Sequence, residues 1–238
     1  MQNAICTVSV AAVRSESSHE STMISQLLYG EVVEVLEAEK HFVHIRIPPF
    51  DDCGWVDSKQ ISIHVTPSNS DKRTYVVDEL FRLNSQVGPS KLLSLGSELE
   101  GENEKVSSQS PKQKVVQSAR VLLGVPDLKG GRSAFGLDSS ALVQLCYKVG
   151  GVAIERHCNQ QALRGEVLSF VEEAEPGDLA FFENKEREIV HVGVVMEEQK
   201  VLHSYGEVRM DLLDSTGIYN ADLGRHTHKL RFIKRLLE

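Results

Sequence analysis

Three places in the sequence carry side chains suited to hydrolytic chemistry: Asp138-Ser139-Ser140, His191 and His203. A nucleophile at the start of a helix faces the positive end of the helix dipole and unpaired backbone N–H groups, which favour a thiolate and an oxyanion. It needs a base within reach and a third polar group to orient that base. Ser139, His191 and His203 fill those positions in chain order. Taken alone, Asp-Ser-Ser is a plain helix N-cap, and two apposed strand histidines are a structural pair.

The surrounding pattern brings these residues together. Leu142, Leu145, Cys146 and Val149 share one helical face, and Asp138 or Ser139 is suited to cap that helix. The apolar runs at 189–196 and 201–204 are separated by a polar gap of hairpin size. Opposed residues in an antiparallel hairpin share a constant index sum, and a turn centred at 197–198 sets that sum near 394 to 396. His191 and His203 are therefore expected directly or nearly opposite on one face, with Cα atoms roughly 5 Å apart. Further strand-like runs lie at 179–182, 208–212 and 230–236, after a helical stretch from 112. Helices followed by a sheet predict an α+β domain.

The rest of the chain is organised differently. Residues 1–65 read as short strands broken by turn-prone clusters, the pattern of a small β-barrel. Residues 66–110 read as a connector or a degenerate second β-module, with a polar, linker-like stretch at 101–111. The third segment is 111–238. The 238 residues are 41% hydrophobic and 25% charged, as in ordinary soluble globular proteins. A net charge of −8 argues against nucleic acid and anionic membrane as partners. No run approaches the roughly 20 apolar residues of a membrane helix. The N-terminal residues lack a signal-peptide pattern, so a cytoplasmic location is expected. Cys6, Cys53, Cys146 and Cys158 form no metal-binding spacing and are expected to be buried, reduced thiols. His226 and His228 alternate on a C-terminal strand without a third ligand nearby in sequence, so neither a metal site nor a cofactor is expected.

Residues 135–144 (Phe-Gly-Leu-Asp-Ser-Ser-Ala-Leu-Val-Gln), Pro176-Gly177-Asp178, His191-Val192-Gly193 and Leu202-His203 together resemble the NlpC/p60 cysteine peptidases, with Arg156 and Gln160-Gln161 in keeping. The resemblance covers 112–238 and implies a papain-like α+β fold. The N-terminal part, with Val13-Arg14, residues 26–30 and Gly54-Trp55, resembles the SH3-like modules joined to such domains. Together they are similar to γ-D-glutamyl-L-diamino-acid endopeptidases of murein peptides. The resemblance implies a nucleophile at Ser139, a base at His191 and an orienting residue at His203. It also implies substrate-holding roles for Asp138 and Ser140, and Arg132 is placed beside them as a substrate-binding residue.

The pattern breaks at the nucleophile, where Ser139 stands in place of the family's cysteine. A serine hydroxyl must be deprotonated during attack, whereas a thiol reaches its anion near neutral pH. Loss of a nucleophile costs on the order of 10⁶ in turnover. Cys146 is two helical turns, roughly 10 Å, farther along and cannot replace it. The family's Tyr-x-Trp-Gly-Gly reads Asp127-Leu128-Lys129-Gly130-Gly131, its tyrosine before Gly54-Trp55 is replaced by Asp52-Cys53, its acidic residue near Thr22 is missing, and the motif glycine is Ala141. The expectation is a non-catalytic relative that binds a murein-type peptide or a protein partner. The alternative is a peptidase of the γ-D-Glu–diamino-acid bond, either active through serine or silenced by an engineered Ser139.

Overall fold

The computed structural model describes residues 2–63, 74–85, 89–101 and 108–238. The chain divides into two compact units, each discontinuous with respect to a simple cut: Met1–Ser107 with Leu128–Gly136, and Ser108–Asp127 with Leu137–Glu238.

In the first unit, β1 (Gln2–Cys6), β2 (Val10–Arg14), β3 (Met23–Leu28), β4 (Val32–Ala38), β5 (Phe42–Ile47), β6 (Asp52–Asp57) and β7 (Ile61–Ile63) form one antiparallel sheet. Its order is β3-β2-β6-β5-β4-β1-β7. Alternate residues such as Ala11, Val13, Val43, Ile45 and Val56 point into its core, as the two-residue period of a half-buried strand requires. The apolar run at 5–13 is two strands, β1 and β2, rather than one. The middle segment supplies two ribbons. One pairs β8 (Thr74–Val76) with β11 (Glu98–Glu100), and the other pairs β9 (Phe81–Asn84) with β10 (Lys91–Ser94). Most of the linker-like stretch at 101–111 lies outside the described residues.

Residues Leu128–Gly136 complete this unit. They include β12 (Arg132–Ser133), which forms a ribbon with β13 (Gly136–Leu137). Gly130 has φ +76°, and a Cβ there would lie 2.3 Å from the Met23 carbonyl oxygen, so the segment reaches β3 only with glycine at this position.

The second unit begins with α1 (Pro111–Val121), whose Ser110 and Gln113 form a reciprocal cap. It continues with α2 (Ser139–Val149) and α3 (Cys158–Gln161). The strands are β14 (Glu166–Val167), β15 (Leu179–Glu183), β16 (Ile189–Met196), β17 (Lys200–Tyr205), β18 (Glu207–Leu213), β19 (Gly217–Asn220) and β20 (Arg225–Arg235). Their order is β14-β20-β15-β16-β17-β18-β19, and β20 also pairs with β19. That pairing closes six of the strands into a barrel around Phe182, Val195, Val201, Leu213, Ile218 and Ile233. The fold is α+β, a strand-rich SH3-like unit followed by a helix-and-barrel unit.

Candidate functional site

Ser139 opens α2 because Asp138 caps it. The Asp138 backbone is extended, and its carboxylate accepts the Ala141 N–H at 2.9 Å. Ala141, Leu142, Leu145, Cys146 and Tyr147 are buried, and the Tyr147 hydroxyl donates to the Gly177 carbonyl at 2.9 Å. These contacts fix α2 within the second unit. Among the described residues the Ser139 side chain has no hydrogen-bond partner, and no acceptor takes the Ser139 or Ser140 backbone N–H. Unpaired donors at a helix N-terminus are the arrangement that stabilises an oxyanion.

Asp138 and Ser140, the residues expected to hold substrate, are already engaged with Arg156. Its guanidinium donates to both Asp138 oxygens, at 2.8 and 2.7 Å, and to Ser140 Oγ at 2.9 Å. Ser140 Oγ in turn donates to Asp138 Oδ1 at 3.0 Å. Burial alone would raise the Asp138 carboxyl, but the Arg156 charge and the hydrogen bonds outweigh it and hold it below its ordinary range. Gln161, fully buried, donates to the carbonyls of Ser140 and Glu155 at 3.0 and 2.7 Å and so ties the Arg156 loop to α2.

His191 on β16 and His203 on β17 meet on one face, with Nε2 of His191 3.0 Å from Nδ1 of His203. The register pairs Val194 with Leu202 and Met196 with Lys200, an index sum of 396. The two histidines are therefore diagonal neighbours rather than directly opposed. Gly193 makes this possible: a Cβ there would lie 3.1 Å from His203 Cβ and 2.5 Å from Val201 Cγ2.

Two members of the array have no counterpart among the expected residues. Asp211 Oδ2 is 3.1 Å from His203 Nε2, and the same carboxylate takes Arg209 at 2.8 and 3.0 Å and Asn220 Nδ2 at 3.1 Å. Burial would raise the Asp211 carboxyl, but Arg209 and His203 hold it below its usual range. As an anion it only accepts, so the proton of His203 sits on Nε2. Nδ1 of His203 then accepts from His191 Nε2, which leaves the lone pair of His191 on Nδ1. A signal for Asp211 existed in the sequence. The turn at Gly206 pairs Tyr205 with Glu207, which puts 203 and 211 on the same face of the sheet.

The second is His228 on β20, half-buried, its ring stacked on His191 with centroids 4.1 Å apart and 25° between planes. His228 is thus grouped with His191 and His203 rather than with His226, which contacts Asp214 at 2.8 Å. One ring nitrogen from each of His191, His203 and His228 lies within 4.8 Å of the others, a set that could hold a metal ion. Burial, followed by repulsion from His228 and His203, pushes the His191 imidazole well below its ordinary value. Burial also lowers His203, against the pull of Asp211, and brings His228 down to about 4. All three rings are neutral near pH 7.

Arg132 has a set of partners of its own. It is buried in the first unit, where its guanidinium donates to both Glu31 oxygens at 2.9 and 2.8 Å and its backbone N–H donates to Gln26 Oε1 at 2.7 Å. Its side chain holds that unit together. The cysteines are free, as expected, and Cys6 and Cys146 are buried, but Cys158 is only partly buried and Cys53 is exposed. Burial raises the Cys146 and Cys158 thiols, so neither is an activated thiolate.

Comparison with known proteins matches this geometry to a family. Residues 124–226 match the NlpC/P60 family, and residues 13–61 match the bacterial dipeptidyl-peptidase Sh3 domain. Over 92 residues the chain is 36% identical to a gamma-D-glutamyl-L-lysine dipeptidyl-peptidase of Bacillus subtilis, covering 38% of this chain and 31% of that protein. A dipeptidyl-peptidase of the same name from Bacillus cereus is 28% identical over 92 residues, covering 38% of this chain and 27% of that protein. The matches thus span about a third or less of these relatives' length. The crystal structure of an NlpC/P60 family protein from Bacillus cereus shares the fold at a TM-score of 0.81 and 17% identity, covering 99% of this chain and 100% of that one. An NlpC/P60 endopeptidase from Photobacterium damselae has a TM-score of 0.66 at 14% identity, covering 97% of this chain and 70% of that one. The chain carries an NlpC/P60 family domain over residues 124–226, with Ser139, His191 and His203 inside it, joined to a bacterial dipeptidyl-peptidase SH3 domain over residues 13–61.

Proposed function

We propose that the chain binds a murein-type peptide at the N-terminus of α2 and hydrolyses it far more slowly than a cysteine peptidase of its family would, or not at all. The observation that carries this reading is Ser139 itself: a hydroxyl without a hydrogen-bond partner among the described residues stands at the N-terminus of α2, where the resemblance calls for a thiol. An imidazole pushed well below its ordinary value by burial takes a proton from a hydroxyl with difficulty, because base strength falls with the pKa of the conjugate acid. A thiol would ionise more readily and would stabilise the imidazolium as an ion pair. The similarity to gamma-D-glutamyl-L-lysine dipeptidyl-peptidases supports a peptide containing a γ-D-glutamyl bond as the ligand.

One observation favours retained hydrolysis as a second reading. The orienting array of His191, His203 and Asp211 is fully assembled. Mass-spectrometric detection of cleavage of L-Ala-γ-D-Glu-diaminopimelate, by the chain and by Ser139→Cys, separates the two. The expected result is cleavage by the cysteine variant alone, with the chain itself binding the peptide. Rapid cleavage by the chain as it stands would establish a serine nucleophile and overturn the proposal. Failure of both, with no binding at millimolar peptide, would remove this ligand class altogether.

A further inference from the structure

A two-histidine hydrolytic relay has no use for His228, which lies beyond the residues that match the NlpC/P60 family. The fold nonetheless brings its ring against His191, with a nitrogen of each of the three imidazoles inside 4.8 Å. The hydrogen bonds around the cluster turn lone pairs inward. The Nε2–H of His203 is given to Asp211 at 3.1 Å, so its Nδ1 faces His191 as an acceptor. A carboxylate behind an imidazole is the outer contact that orients metal-binding histidines. Thr227 Oγ1 lies 2.9 Å from Nδ1 of His228 and 3.5 Å from the Ile218 carbonyl oxygen. In the tautomer that gives the Nδ1–H to the Thr227 oxygen, Nε2 of His228 is bare and free to take a metal. The space between the rings is held by one proton, that of His191 Nε2 shared with His203 across 3.0 Å.

The geometry points to a cation site in which a borderline-soft divalent ion such as Zn²⁺ takes the place of that shared proton, with His191, His203 and His228 as ligands and water in the fourth position. Three imidazoles without a directly offered carboxylate suit Zn²⁺ and exclude Mg²⁺ and Ca²⁺, which require oxygen ligands. Zinc–nitrogen bonds of about 2.0–2.1 Å at a tetrahedral angle separate two ligand nitrogens by roughly 3.4 Å. The present 3.0 Å gap therefore opens by a few tenths of an ångström. The His228 ring turns out of its stack on His191 to direct its lone pair at the ion, which its half-buried position on β20 permits. The His191 proton moves from Nε2 to Nδ1, so the ring stays neutral and no net proton is lost. Nδ1 then carries a hydrogen in place of a lone pair, and a loaded cluster cannot serve as a general base. The ion competes with hydrolysis instead of assisting it, and its binding does not depend on which reading of Ser139 holds.

Calorimetric titration of the full chain with Zn²⁺ near pH 7.5, and visible absorption with Co²⁺, test the site without reference to activity. One equivalent should bind with a dissociation constant in the micromolar range or tighter, and Co²⁺ should give the intense band of a four-coordinate ion. Asp211→Asn should weaken binding about 10–100-fold, and His228→Ala should weaken it at least as much. His226→Ala, which removes the histidine held by Asp214, should leave it unchanged. Binding no tighter than millimolar, or binding equally affected by His226→Ala and His228→Ala, overturns the site. Should a variant fail to fold by circular dichroism, the ring ¹⁵N resonances of the unaltered chain decide: Zn²⁺ must shift those of His191, His203 and His228, and no shift at His228 overturns the proposal.

Discussion

Replacing His228 by glutamine should make the protein less sensitive to acid. The folded chain holds this imidazole at about 4, chiefly through burial and then through His203, with Asp211 opposing. The unfolded chain returns it to about 6.5. Between those values the unfolded state binds the extra proton, so stability rises with pH and is lost as the solution is acidified below about 6.5. At about pH 5 the difference is worth about 2 kcal/mol relative to pH 8, and about 1–2 kcal/mol once solvent screening of the half-buried ring is included. The groups facing the ring are His191, His203, Tyr205 and, through His203, Asp211. His191 is lowered partly by His228, so removing His228 relaxes both rings and flattens the pH dependence further. Urea unfolding of both proteins at about pH 8 and about pH 5 measures this directly. Stability should fall between the two pH values by about 1–2 kcal/mol less in His228→Gln than in the parent. Equal losses would refute the idea that the fold forces this ring to be neutral.

Three further substitutions test the supporting structure. Arg156→Met removes the guanidinium from Asp138 and Ser140 and should cost about 3 kcal/mol, the range for breaking a buried ion pair. Adding Asp138→Asn should recover part of that loss, and failure to do so in a double-mutant cycle would mean the pair is not coupled. Glu31→Gln leaves Arg132 buried without its counter-charge and should cost about 3–5 kcal/mol by chemical denaturation, with no effect on peptide binding if Arg132 is purely structural. Gly193→Ala places a methyl group 2.5 Å from Val201 Cγ2 and 3.0 Å from the Leu202 carbonyl oxygen. It should cost about 1–3 kcal/mol and shift the ring resonances of His203, whereas unchanged resonances would show that the histidine does not depend on this glycine.

Local pattern revealed the parts of this molecule that local chemistry determines. Asp138 as a cap, the apolar face of 141–149 and the apposition of His191 with His203 follow from side-chain period and hairpin arithmetic. The exact register did not, because a polar four-residue gap admits more than one turn and Gly193 settles the choice by packing. Asp211 was within reach of the same arithmetic through the turn at Gly206. His228 was not, because its approach to His191 depends on β20 closing the barrel against β19, a pairing between distant parts of the chain. The Gly217–Asn220 strand is not legible in the sequence because Gly-Ile-Tyr-Asn holds only two adjacent apolar residues between turn-prone ones and shows no alternation. The pairing of Arg132 with Glu31 is not legible in the sequence, because the two lie about a hundred residues apart and no spacing rule links them.

The route of the chain through Leu128–Gly136 bears on how this protein could be divided. That segment belongs to the first unit although the residues on both sides of it belong to the second. A fragment that stops before residue 128 keeps Glu31 in its buried place but loses the guanidinium that neutralises it. The carboxylate must then take up a proton or admit water, and either outcome loosens the sheet around it. A fragment that starts after residue 107 carries the opposite defect, an arginine without its acid in a loop just ahead of the helix that presents Ser139. A cut at one point in the sequence therefore does not separate the two units. Shuffling, truncation or proteolytic clipping near the sequence boundary should yield two poorly behaved pieces, and co-expressing them should restore what neither retains alone.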